Sequence, residues 1–321
     1  MDQASGIQAD LLLVQRINKM WPKRATVCSM DKYQVEDTFD PALPDYPVVM
    51  VPFYDHPKFQ AVDDELKSDV LTWGWIGYNQ RTVAAENDVV NPALEVITNQ
   101  YLTDDDWDLK EAMRQTLVDE HYHTLMHMKA VERTKAHRRL QRKLTLPRSV
   151  TYRRLQALTA TLAESWQKHI ASIAFAVVAE ISVNAYLNTL AKDKTIQPQN
   201  RRVAEFHNLD EYAHSRVVPE IAKAMYVNMG ERQRKFFVRI LPEALQAFVA
   251  QDYSMWEAIL TQIGVPDAEA IIADTRNASN GGGVIMRDYG GLHRFASEIN
   301  ILQEIDFDFT GTLNTEETTA A

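Results

Sequence analysis

The chain has little of what breaks or braces a polypeptide. One cysteine, Cys28, stands among 321 residues, so no internal disulfide can form and a reducing cytoplasm is the expected compartment. Glycine (11) and proline (12) are both scarce, which disfavours a fold of many short strands and turns and favours long helices. The 34 Lys and Arg are outnumbered by 44 Asp and Glu. The resulting net charge of −10 argues against a nucleic-acid partner, whose phosphates need a surplus of cations. No apolar run approaches the ~18 residues a membrane span requires. The opening MDQASGIQAD lacks the basic-then-apolar pattern of a secretory signal. What is present is ordinary globular composition, 45% hydrophobic and 24% charged, in a chain long enough to bury a sizeable core.

The pattern of apolar positions predicts helices throughout and no sheet. Residues 7–20 read as an amphipathic helix ended by Trp21-Pro22. Pro41, Pro44, Pro47, Pro52 and Pro57 forbid a helix from Asp40 to Pro57, which is expected as an extended strap. Helices are then predicted over about 63–87, 92–101, 109–143, 163–192, 198–229 and 231–263. Shorter ones follow near 267–275 and 291–304, separated by a loop at Ser279–Gly283. The expected architecture is a single all-α, ferritin-like four-helix bundle over residues 1–321 with additional flanking helices. Residues 1–60 wrap it, and 308–321 form a small, polar tail. The basic stretch Lys135–Arg154 reads as a solvated helix end plus crossover, with a docking patch for an acidic partner as the alternative.

Within those helices a ligand pattern repeats. Glu86 is followed 34 residues later by Glu120-His121-Tyr122-His123, and Glu180 is followed 31 residues later by Glu211-Tyr212-Ala213-His214. Positions i and i+3 share a helix face, so each Glu-x-x-His aims both groups at one spot. A lone Glu from each of two helices plus Glu-x-x-His from each of two others is the donor set of di-iron and di-manganese carboxylate bundles. Glu180 lies in Ile173-Ala-Phe-Ala-Val-Val-Ala-Glu180, a segment apolar on every side, where an unpaired carboxylate needs a cation or a proton. His207 precedes Glu211 by four residues and shares its face, which makes it a candidate seventh ligand. His127, four residues after His123, is a weaker candidate for contact behind the ligands. His121 faces away. The bulky Trp73, Trp75, Tyr78, Trp166, Phe175 and Tyr186 are read as core.

These residues resemble the di-iron amine N-oxygenases. The resemblance rests on Trp75–Arg81 leading to Glu86, on Asp119–Met128, Val178–Asn184 and Asp193–Pro198, and on His207–His214 with its additional histidine. Asp40–Pro57 and Gly281–Asp288 are similar too, so most of the chain is covered. The resemblance implies two iron ions and O2 as co-substrate, and manganese also suits such donors. It implies one iron on Glu86, Glu120 and His123 and the other on Glu180, Glu211, His214 and His207, with Glu120 and Glu211 bridging. It further implies a small-molecule amine substrate oxidised through hydroxylamine, nitroso and nitro stages in antibiotic biosynthesis, an external electron donor, and a homodimer. Arg81, Asn184 and Arg287 fall in matching stretches and are candidates for holding the polar end of a substrate. Ala85 stands where the p-aminobenzoate enzyme of that family carries Thr, which sets the two substrate sites apart.

Other readings share parts of this pattern. An aliphatic or carrier-bound amine, the latter with a carrier protein as partner, would suit the same centre. An iron-oxidising or storage protein would share the Glu-x-x-His pairs but has no need of His207. A radical-storing reductase subunit would place Tyr where this chain has His127. A metal-free helical scaffold would hold no metal at all.

Overall fold

A computed structural model of the chain describes residues 7–278 and 289–309, and every regular element among them is helical. In chain order, α1 spans Leu11–Arg24, α2 Pro57–Gln60, α3 Asp64–Ala85, α4 Asn91–Gln100, α5 Trp107–His137 and α6 Val150–Ala160. They are followed by α7 Ser165–Ser182, α8 Asn184–Lys192, α9 Pro198–Asn228 and α10 Glu231–Phe248. The last three are α11 Tyr253–Ile263, α12 Ala268–Ala278 and α13 Gly290–Glu298. The all-α, ferritin-like expectation holds.

Local chemistry accounts for the helix starts. The Asp63 carboxylate accepts the Leu66 N–H at 2.8 Å and caps α3. Glu164 and Gln167 form a reciprocal capping box at α7. Pro198 occupies the first position of α9, where a missing N–H costs nothing.

α3, α5, α7 and α9 form the bundle, with α5 against α3 and α9, and α7 against α9. Two apolar clusters lie along it. One contains Trp75 and Tyr78 of α3, Met126 and Val131 of α5, Leu187 of α8, and Val203 and Phe206 of α9. The other contains Val89 and Val90, Leu109 and Leu117 of α5, Ile173 to Ile181 of α7, and Val217 to Met225 of α9. The order of the clusters along each helix shows that α3 and α9 run one way and α5 and α7 the other. The connection from α5 to α7 must therefore return along the bundle, the long crossover of ferritin-like folds. The acidic and imidazole residues fall where each helix passes between the clusters. α11 closes on α3 at Gly74 and Gly77, where a Cβ would stand 2.8 Å from Trp256 and from Met255 Sδ.

Several boundaries differ from the expected ones. α1 continues through Pro22 to Arg24, because a proline in the last turn removes only one hydrogen bond and Ala25 N–H still closes on the Trp21 carbonyl at 2.9 Å. The expected gap after Asn87 is bridged by a π-helical turn, Glu86–Val90. α5 stops at His137, and Arg139 turns the chain with φ of 50°. α6 was not expected. It starts at Ser149, whose hydroxyl accepts the Tyr152 N–H. The predicted helix over 163–192 is interrupted at Val183. The one over 231–263 divides before Asp252, a buried carboxylate that accepts from Met255 N–H, Val150 N–H and Arg153.

Cations of the basic stretch clip the crossover in place. Arg138 bonds Asp45 at 2.8 Å and the Leu43 carbonyl at 2.6 Å, Arg142 the Ile263 carbonyl at 2.7 Å, and Arg148 pairs with Asp88 at 2.9 Å. Contrary to the expectation that no segment is long and apolar enough for a span, residues 165–192 meet that test by length and composition, but 67% of their most apolar window is buried in the protein, as in a core helix. The expected loop at Ser279–Gly283, Arg287 and residues 310–321 lie outside the described residues.

Candidate metal centre

The seven predicted donors come together. Glu86 opens the π-helical turn, Glu120 and His123 lie on α5, Glu180 on α7, and His207, Glu211 and His214 on α9. None is more than 4% exposed. Donor atoms of Glu120, Glu180, Glu211 and His214 lie within 4.8 Å of one another, as do those of Glu86, Glu120 and His123. His214 Nδ1 is 2.9 Å from Glu120 Oε1, 3.3 Å from Glu211 Oε1 and 3.6 Å from Glu180 Oε2. His123 Nδ1 stands 3.7 Å from Glu120 Oε1 and 3.6 Å from Glu211 Oε1. Glu120 and Glu211 thus face both imidazoles. His207 Nε2 lies 3.1 Å from Glu211 Oε1 and 3.5 Å from Glu86 Oε1, and groups with His123 and Glu211. Its nearest company is therefore the Glu86–His123 side, joined through Glu211 to the Glu180–His214 side with which the resemblance grouped it.

This donor set fits a pair of cations. Glu86 Oε1, Glu120 Oε1, Glu180 Oε2, Glu211 Oε2 and His123 Nδ1 are buried and have no hydrogen-bond partner in the protein. Five such atoms turned toward one another cannot be stable without protons or metal. Burial, and then the Glu120 charge, push Glu86 and Glu180 well above the usual carboxylate range. Burial presses Glu120 upward too, but His123 and His214 outweigh it and leave Glu120 below its ordinary value. The rings of His123 and His214 are disfavoured as cations by burial, yet the carboxylates around them raise both well above the usual imidazole range. His127 and His207 are held well below it, chiefly by burial.

The surrounding support was largely missed from sequence. Asp210 Oδ2 accepts from His123 Nε2 at 3.1 Å, and Asp119 Oδ2 accepts from His214 Nε2 at 3.2 Å. Each aspartate precedes the glutamate of one Glu-x-x-His and orients the histidine of the other. The signal was available as the duplicated Asp-Glu-x-x-His, at Asp119 and at Asp210. α1 and the turn after it fix these aspartates: Trp21 Nε1 donates to Asp119 at 2.9 Å, Arg24 lies 3.5 Å from Asp210, and Thr26, just past the helix, donates to Asp210 through both its N–H and its hydroxyl. The Thr124 hydroxyl donates to Glu86 Oε2 at 3.0 Å. His127, the weaker candidate, is wholly buried behind His207, with Nε2 2.8 Å from His207 Nδ1.

A chamber of about 100 Å³ opens on Glu86, Glu120, Glu180, His207 and Glu211. Its walls include Ala85, Val90, Leu187 and Phe248, together with Tyr78 and Tyr186, which were expected as core and instead also face this space. The two tyrosines pack with ring centres 5.4 Å apart, and Tyr186 shares a 2.6 Å hydrogen bond with Tyr46. Among the described residues Arg81 is the one cation lining the chamber, and it makes no ion pair there. Arg81 and Ser149 also line an outer cleft of about 460 Å³, so they stand between chamber and surface. Asn184 lies elsewhere, its Nδ2 donating to the Glu211 carbonyl at 3.3 Å.

Comparison with known proteins finds both a family and a relative. A family model described as p-aminobenzoate N-oxygenase AurF matches residues 11–300. A 4-aminobenzoate N-oxygenase of Streptomyces thioluteus is 38% identical over 298 residues, covering 92% of this chain and 88% of the relative.

Proposed function

From the premise that this chain belongs to the p-aminobenzoate N-oxygenase AurF family, we propose that it holds two iron ions and, with O2, oxidises the nitrogen of an arylamine to a hydroxylamine, nitroso or nitro group. The observation that carries this reading is the convergence of Glu86, Glu120, Glu180, Glu211, His123, His207 and His214 on a buried point bordering a chamber. Four carboxylates offset the charge of two divalent cations, and their hard oxygens suit the oxidised metal while imidazoles tolerate the reduced one. The metal pair, when bound, supplies the redox chemistry that O2 activation requires. An external electron donor supplies the reducing equivalents.

The remaining tasks belong to side chains. Apolar walls from Val90, Leu187 and Phe248 exclude water from the reacting nitrogen. Tyr78 and Tyr186 supply aromatic surface to the wall against which an aromatic ring can pack. Arg81, at the mouth, receives an anionic substituent, and the buried Tyr78 hydroxyl, without a hydrogen-bond partner, offers a further donor. A substrate so held directs its other end toward Glu86, Glu120 and Glu180. The substrate class is an arylamine carrying a carboxylate. Ala85 in the wall makes the site differ in shape from one carrying Thr there.

The test is anaerobic reduction of the iron-loaded protein, exposure to O2 and a panel of aryl and aliphatic amines, read by mass. Oxygen added to nitrogen of the arylamine carboxylates supports the assignment. No product from any amine, with the metal intact, overturns it.

A further inference from the structure

Behind His207 runs a chain of hydrogen bonds that is uncharged and fully buried. Asn79 Nδ2 donates to the Trp75 carbonyl at 2.7 Å. That bond fixes the amide orientation, since the flipped amide would set two oxygens against each other. Asn79 Oδ1 therefore faces His127 Nδ1, also at 2.7 Å, and His127 must donate there. Asn79 and His127 are wholly buried, and no carboxylate bonds either one. With its Nδ1–H given to Asn79 and no carboxylate hydrogen-bonded to the buried ring, His127 is the neutral tautomer whose bare nitrogen is Nε2. The 2.8 Å contact from His127 Nε2 to His207 Nδ1 then needs its proton from His207. With Nδ1 as the donor, His207 turns an unprotonated Nε2 toward Glu211 and Glu86. A lone pair facing two carboxylate oxygens is a repulsive contact unless a cation, or in the metal-free protein a carboxyl proton, lies between them.

We propose that the Trp75 carbonyl, Asn79 and His127 act as a tautomer-setting chain that makes His207 a metal donor through Nε2, with His127 a positioning residue and not itself a ligand. The inference rests on the reading of His207 as a ligand given above. The arrangement is the reverse of that at His123 and His214, whose Nδ1 atoms face the centre and whose Nε2–H groups meet carboxylates. A carboxylate behind an imidazole raises its basicity and a neutral acceptor does so less. His207 is accordingly the weakest of the three nitrogen donors.

The experiment is a titration of metal-freed, full-length protein with Co(II), followed by visible absorption, on wild type and on His127→Leu, His127→Gln and His207→Ala. His127→Leu removes the acceptor. It should weaken one of the two Co(II) ions by roughly 10–100-fold, as loss of outer support to a ligand does, and shift its absorption bands. His127→Gln, whose Oε1 can accept the same N–H, should restore most of the affinity. Adding His127→Leu to His207→Ala should cause no further loss, since the chain acts only through His207. Equal damage from Leu and Gln, or additive loss in the double variant, overturns the proposal. So does an unaltered His127→Leu beside a weakened His207→Ala, which leaves the ligand reading standing. An unaltered His207→Ala overturns both. Should His127→Leu not fold, histidine ring ¹⁵N shifts of the wild-type protein decide: protons on Nδ1 of both His127 and His207 are expected, and Nε2–H on either contradicts the chain.

Discussion

Asp210 on α9 reaches across the bundle to His123 on α5, with Oδ2 3.1 Å from Nε2. Asp119 on α5 makes the reciprocal contact with His214 on α9. The two helices therefore orient each other's histidines, and α1 with the turn after it locks both aspartates through Trp21, Arg24 and Thr26. Replacing Asp210 by Asn keeps the shape but removes the charge behind His123. Metal affinity at one of two positions should fall roughly 10–100-fold, read as metal retained against a competing chelator. Unchanged retention would show that Asp210 does not tune the centre.

Glu180 is buried in α7 with its carboxyl pushed well above the usual range by burial and by Glu120. Glu180→Gln should therefore act in opposite directions on the two forms. Metal-free protein should gain roughly 1–3 kcal/mol at neutral pH and above, the order of an uncompensated buried polar group, while metal content falls. Thermal melts with and without metal check both halves.

The same electrostatics fixes a pH dependence. Metal-free folded protein holds protons on Glu86 and Glu180 above the ordinary 4.5, and on His123 and His214 above 6.5. Groups raised in this way stabilise fully below the unfolded values and lose that contribution as pH rises through the raised ones. His127 and His207, lowered by burial, act oppositely as pH falls below 6.5. Metal binding displaces the extra protons, so the rise in melting temperature on adding metal should grow from about pH 6 to about pH 8. Calorimetry across that interval measures it, and a gain that shrinks with pH contradicts the assignment.

Arg81 at the chamber mouth predicts a selective defect. Arg81→Ala should raise KM for an arylamine carboxylate by roughly 10–100-fold, the worth of one charge-assisted contact. The uncharged parent arylamine should be affected little. Steady-state kinetics on the two substrates separates a contact with the carboxylate from a general loss of the site.

The donors were legible in the sequence because helical spacing converts directly into shared faces. Glu120 with His123, Glu211 with His214, and His207 one turn earlier needed no tertiary information. The crosswise role of Asp119 and Asp210 was not legible, since which histidine each one meets depends on how α5 and α9 pack. The same holds for His127, whose face was known but whose partners Asn79 and His207 lie on other helices. The π-helical turn at Glu86 and the helix through Pro22 were lost because local rules favour a break at each. Tertiary packing overrides both.

The central claim is that seven side chains from separate helices hold a pair of metal ions. Anomalous X-ray scattering at the iron edge from crystals of iron-loaded protein tests it directly. Two peaks are predicted, both within coordinating distance of Glu120 and Glu211, with Glu86 and His123 near one, Glu180 and His214 near the other, and His207 bound through Nε2. A single peak, or iron bound away from these residues, would contradict the account.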